Sequence, residues 1–300
     1  MIFTKEIENT PEEIILSMED AELALMDAEF DLAMEDFNMY RANYDAEILA
    51  IEAYVKADKN LELCTESFNV IKEGFVDKAK EIGNRAWEAL KKLFQALTNK
   101  AKALSKWISQ IKLPTVINKT IWKEAYDVDE LDNRINKIVD FIGSLSTPIN
   151  DILLDKRKTD EVTEILNEDA KAWSYKVILD ACKVKPPFGA DANNANEFYS
   201  ALDDYLEGSR KDQSVTFRDP KKEIDKRLKK CQKIITALEK SLNAMRIINF
   251  ENINTEKRNT FNAVIDSYKV LYQIIDRCTN KVHRVAASWT RFKDDGKEEK

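Results

Sequence analysis

The sequence predicts an all-α fold: an elongated bundle of long antiparallel amphipathic helices with a smaller irregular helical middle. Three observations predict it. Only 6 Gly and 6 Pro occur in 300 residues, so helices can run far between breakers. Apolar residues make up 44% of the chain and charged residues 34%, enough for a core and a solvated outer face. Apolar residues also recur at steps of three and four through most of the chain.

Residues 1–60 form an acidic, heptad-like helical segment. Residues 1–55 hold fifteen acids and two bases, a net of −13, so the remainder carries +6 of the total of −7. Thr10-Pro11-Glu12-Glu13 is a capping box with Pro at the first helical position. Leu16, Leu23, Phe30, Phe37, Tyr44 and Ile51 recur every seven residues, the packing seam of this helix. Met18, Leu25, Leu32 and Met39 repeat at the same period two residues later and broaden the stripe. Like charges crowd the outer face and repel, so a cationic neighbour is expected to relieve them.

Residues 61–114 supply that neighbour, a long basic amphipathic helix. Ile71, Phe75, Ala79, Ile82, Ala86, Leu90, Leu93, Leu97, Ala101, Leu104, Ile108 and Ile111 mark its stripe, and Pro114 ends it. From 89 to 123 there are eight Lys and no Asp or Glu. Residues 115–218 read as a short-helix middle. One helix opens on the acidic turn Asp127-Val128-Asp129-Glu130. Thr147-Pro148 is expected to start another, and a third spans about 160–184. The loops are "KVKPPFGADANNAN" (183–196) and "GSRKDQSVTFRDP" (208–220), with a short helix near 196–207 between them and room for a strand from Val215 to Phe217. Residues 219–293 read as a long antiparallel helical hairpin opened by Asp219-Pro220, and 294–300 as a solvated tail.

The candidate chemistry is sparse. His283, the single His, lies inside the last amphipathic helix, so neither a triad nor a two-His metal site can be built without it. No Gly-rich phosphate loop occurs. The acids of 127–132 and 203–207 lack the spacing of a calcium loop and read as helix-start and solvated-turn acids. No residue is assigned a catalytic, cofactor-binding or metal-ligating role, and no small-molecule substrate is expected. Cys64, Cys182, Cys231 and Cys278 are far apart and read as free thiols in a reducing compartment. "MIFTKEIENTPEEI" turns acidic at once, so no secretory leader is expected, and no window is apolar enough for a membrane span.

The basic stretch allows three roles. It can meet nucleic-acid phosphates through Lys91, Lys92, Lys100, Lys102, Lys106 and Lys112, without reading bases, since the run from 89 to 123 contains no Arg. It can lie in a membrane interface as part of a pore-forming or remodelling bundle using 71–113. Or it can pack as a bundle helix whose lysines face solvent or the acidic segment, with the 12–56 seam free for self-association or a scaffold role.

The acidic segment followed by "FVDKAKEIGNRAWEALKKLFQALTNKAKALSKWISQI" and an all-α body of long hairpins resembles the internal head proteins of tailed phages. The resemblance implies a non-enzymatic virion structural protein, made in the host cytoplasm and housed inside the capsid with the genome and other virion proteins. It also implies that residues 1–60 can hold a propeptide, cut after Glu by a prohead protease, while the charge asymmetry itself makes this segment a candidate masking arm over the basic helix. Ser17-Met18-Glu19, Ala33-Met34-Glu35 and Ala50-Ile51-Glu52 fit such a site, as do Ala86-Trp87-Glu88 and Ala237-Leu238-Glu239, so none is assigned.

Overall fold

A computed structural model describes residues 11–58, 65–113, 121–122, 125–153, 174–189, 194–211, 215–245 and 258–289. Within them the protein is an all-α bundle of seven helices: α1 (Pro11–Asp58), α2 (Thr65–Gln110), α3 (Val128–Leu153), α4 (Ser174–Cys182), α5 (Ala195–Glu207), α6 (Pro220–Ala244) and α7 (Arg258–Ser288). At about 1.5 Å per residue, the 48-residue α1 is roughly 72 Å long. The 294–300 tail lies outside the described residues.

α1 and α2 pack as an antiparallel pair, with Lys106 near the end of α2 beside Glu22 near the start of α1. The apolar period of each helix drives this. From α1 the seam residues Leu23, Phe30 and Phe37 are buried; the side chains of Leu16, Tyr44 and Ile51 lie outside the described set. From α2, Ala86, Leu90, Leu93, Leu97, Ala101, Leu104 and Ile108 are buried, with Trp87 and Trp107 beside them. Filling a core position with a side chain of this size stabilises by about 1.5–3 kcal/mol.

α7 is the central helix, and its amphipathic stripe is buried together with most of the flanking positions. It packs against α2, α3, α4, α5 and α6, and Ala263, Val264, Ile265, Tyr268, Val270, Leu271, Tyr272, Ile274 and Ile275 are all buried. Its buried hydroxyls bond back to the preceding turn: Ser267 Oγ donates to Ala263 O (2.6 Å) and Thr279 Oγ1 to Ile275 O (2.8 Å). Those bonds let small polar residues sit inside without unsatisfied groups. Lys281, also enclosed, pairs with Glu207 of α5 and lies over the Tyr126 ring at 4.2 Å.

α6 starts where Asp219 accepts a hydrogen bond from Lys222 N (3.2 Å), with Pro220 at its first position. Its start lies beside the end of α7, where Phe217 meets Trp289 and the Arg227 guanidinium lies 5.0 Å from that indole. The pair is therefore antiparallel. Two-residue ladders tie the connections together: β1 (Ile121–Trp122) pairs with β4 (Val215–Thr216), and β2 (Ala125–Tyr126) with β3 (Arg210–Lys211), each antiparallel.

The middle differs from expectation at one proline. Pro148 does not start a helix; it sits inside α3, which continues to Leu153. Pro removes one backbone hydrogen bond, but Leu145 and Ile149 on either side are fully buried, and that packing holds the chain helical. Around α3, α4 and α5 an aromatic cluster fills the space: Phe188 meets Phe141, Phe198 and Tyr205, and Tyr175 meets Phe198. Gly189, at φ +69°, turns the loop that delivers Phe188.

Cys231 and Cys278 are buried free thiols and Cys182 is half-buried; Cys64 lies outside the described residues. Burial pushes Cys231 up to about 12 and raises Cys278 as well. Since the thiolate is the reactive form, a thiol reagent followed by peptide mapping should leave Cys231 and Cys278 unmodified in the native chain. Both should react on denaturation. Rapid native labelling of either would show that α6 and α7 do not pack in this way.

Candidate polyanion-binding face

The six lysines singled out in α2 and just beyond it have unequal surroundings. Lys100 is buried: its ammonium pairs with Asp27 of α1 and Asp276 of α7 and lies 5.5 Å from the Phe30 ring centre. It belongs to the interior, away from any surface a polyanion could meet. Its position explains why. Residues 93, 97, 100, 104 and 107 lie on one side of a 3.6-residue helix, and all five are buried.

Burial pushes the Asp276 carboxyl up, the Lys100 ammonium pulls it down, and Asp27 and Asp31 add to the rise. The remaining five amines are at the surface. Lys91 pairs with Glu88 one turn back (2.6 Å), and Lys106 reaches Glu22 of α1 (3.5 Å). Lys102 faces Glu239 of α6, whose carboxyl is raised by burial and lowered by that lysine. Lys92 and Lys112 are exposed. Among the described residues, carboxylates of α1 thus reach Lys100 and Lys106.

A second basic surface, not singled out in the sequence, lies on α6. Gln232 of α6 donates to Ser105 Oγ of α2 (2.6 Å), so the two helices run side by side. Ile224, Leu228, Cys231, Ile234, Ile235, Leu238 and Leu242 turn inward. That leaves Lys222, Lys226, Lys229, Lys233 and Lys240 exposed along one outer ridge, with Thr236 the remaining member. The ridge rises about 27 Å. Lys229 pairs with Asp225 (2.5 Å) and Glu223 is taken up by Arg227 (2.7 Å). No carboxylate among the described residues pairs with Lys222, Lys226, Lys233 or Lys240. The signal was present in the sequence: α6 holds eight Lys and Arg against three acids.

The acids of 127–132 and 203–207 have structural partners. Asp127 Oδ1 accepts from Asp129 N (3.0 Å) and Glu130 N (3.1 Å), capping α3. Asp129 and Asp132 hold Lys230, and Asp203 holds Arg277. His283 meets the Trp107 ring edge-on at 5.1 Å. No described helix is long and apolar enough to cross a membrane. Comparisons with protein-family models, curated proteins and solved structures return no match.

Replacing Lys100 by Met strands the buried Asp276 carboxylate and should cost about 3 kcal/mol in urea denaturation at neutral pH. Adding Asp276→Asn should recover part of that loss. The sign with pH follows from the raised Asp276 carboxyl. The folded state holds the proton more tightly than the unfolded chain, so in Lys100→Met stability should rise as pH falls through the carboxylate range. An undiminished deficit in mildly acidic buffer would contradict the assignment.

Proposed function

We propose that the protein is a non-enzymatic structural protein that binds a polyanion, and that the polyanion is nucleic acid held without sequence preference. The carrying observation is the α6 ridge, where four of five exposed lysines have no carboxylate partner among the described residues. Lys102 of neighbouring α2, beside Glu239 of α6, adds an exposed amine. Lysine is a point charge that neutralises phosphates without reading base edges. On the resemblance to internal head proteins of tailed phages, the proposed setting of this activity is the inside of a capsid, beside packaged genome.

Membrane insertion of 71–113 has less support, because Leu90, Leu93, Leu97 and Leu104 would have to leave the core they fill. Self-association through the 12–56 seam meets the same obstacle at Leu23, Phe30 and Phe37.

Binding to duplex DNA should weaken as salt rises, with a log–log slope of about −4.5 if each ridge lysine neutralises one phosphate. Lys226→Gln/Lys233→Gln/Lys240→Gln should reduce that slope to about −2 for any DNA sequence. The three side chains are exposed, so the thermal midpoint should hold. An unchanged slope would remove the ridge from the proposal. The capsid location is tested separately. Mass spectrometry of purified phage particles should detect the chain, and it should resist external protease until the particles are opened.

A further inference from the structure

α1 carries two heptad ridges, and among the described residues one of them turns into the molecule. Leu23, Phe30 and Phe37 are buried, whereas Leu25, Leu32 and Met39 are 57%, 61% and 51% exposed, although the sequence alone groups both into one broad stripe. The outer ridge has the layout of a coiled-coil seam. With Leu25, Leu32 and Met39 at one core position, the other falls on Ala21, Ala28, Glu35 and Ala42, all exposed. Alanines there let a second helix approach closely. The flanking positions hold Glu22, Glu29 and Asp36 on one side and Ala24, Asp31 and Asn38 on the other, where Asn38 accepts from Lys269 of α7 (2.6 Å). Glu22 reaches Lys106; the other flanking acids have no cation among the described residues.

We propose that this outer ridge docks an amphipathic helix of another protein, one with Leu-type residues at its core positions and Lys or Arg along the edge that meets Glu29 and Asp36. Charge complementarity selects that occupant, because flanking residues decide which helices pair. A second, antiparallel α1 would set acid against acid along the Glu22, Glu29 and Asp36 edge. The lysine ridge of α6 on another copy has the right sign, but between Lys222 and Lys240 it presents only Lys and Thr, with nothing apolar to fill the seam. This surface is on a different helix from the α6 ridge, and the inference stands without the nucleic-acid reading.

The test uses the full-length chain and fluorescein-labelled helical peptides about three heptads long. The first has Leu at both core positions and Lys at the flanks, the second has Glu at the flanks, and the third has the first peptide's residues in an order that destroys the heptad. Anisotropy should report saturable binding of the first peptide only. Leu25→Ser/Leu32→Ser, at exposed positions, should weaken it by roughly tenfold or more while the thermal melt stays put. Absent binding of the first peptide, equal binding of the scrambled one or an unchanged affinity in the double variant would each overturn the proposal. So would self-association of the native chain that the double variant abolishes, since that assigns the ridge to a second copy.

Discussion

The Lys100 ammonium, enclosed between Asp27 of α1 and Asp276 of α7, decides how the three longest helices sit on one another. Apolar packing alone leaves that choice degenerate. The α1 seam repeats Leu23, Phe30, Phe37 at seven-residue intervals, so a slide of one heptad would fill the same holes with similar side chains. The polar ridge beside it does not repeat. Positions 20, 27, 34, 41 and 48 hold Asp, Asp, Met, Arg and Ile. In the observed register Asp27 meets Lys100, and Arg41 meets Asp266 of α7 through Nε (3.2 Å) and Nη2 (3.4 Å). A slide either way puts Met34 or Ile48 opposite Asp266 and leaves a half-buried carboxylate without its guanidinium. A buried ion pair adds little net stability over an apolar contact, but breaking one is expensive, and that asymmetry specifies register.

The same logic sorts the charges of α1 into two populations. Asp27 and Arg41 face inward and fix position. Glu29, Asp31 and Glu35 face outward. Among the described residues the charge imbalance is therefore expressed mostly as outer faces of opposite sign on different helices. Among the described residues, α1 pairs with Lys100 and Lys106 of α2 and covers much of its apolar stripe.

Much of the fold was legible because it rests on periodicity. The α2 stripe from Ala86 to Ile108 and the Asp219-Pro220 start are local signals, and the structure places them as read. What stayed hidden depends on neighbours. Two ridges of α1 have the same period, and nothing local says which one turns inward; the bulk of Phe30 and Phe37 suits the interior better than Met39 and is a weak hint. Pro148 reads locally as a break, and only the burial of Ile149 explains why α3 continues through it. Lys100 could have been placed from its spacing to Leu97 and Leu104, but an acid-free run draws every lysine into one surface inference. The α6 ridge was obscured for the opposite reason: Glu223 and Asp225 dilute its charge in the sequence, while in the structure they are held by Arg227 and Lys229.

A net charge of −7 is compatible with a nucleic-acid partner once the geometry is considered. Fields in salt are local: the Debye length is about 10 Å at 0.1 M. α2 packs against both α1 and α6, and with α2 between them the outer acids of α1 and the ridge of α6 lie on the order of two helix spacings apart, ~16–20 Å. A phosphate at the α6 ridge is therefore largely screened from the acids of α1 and close to the lysines. The segregation also orients the molecule. A polyanion attracts the α6 side and repels the α1 side, so on the proposed reading a bound molecule turns its acidic face outward, towards whatever other protein surrounds the polyanion. Had the same charges been interleaved on each helix, the net charge would be unchanged, but neither the local attraction nor the orientation would survive.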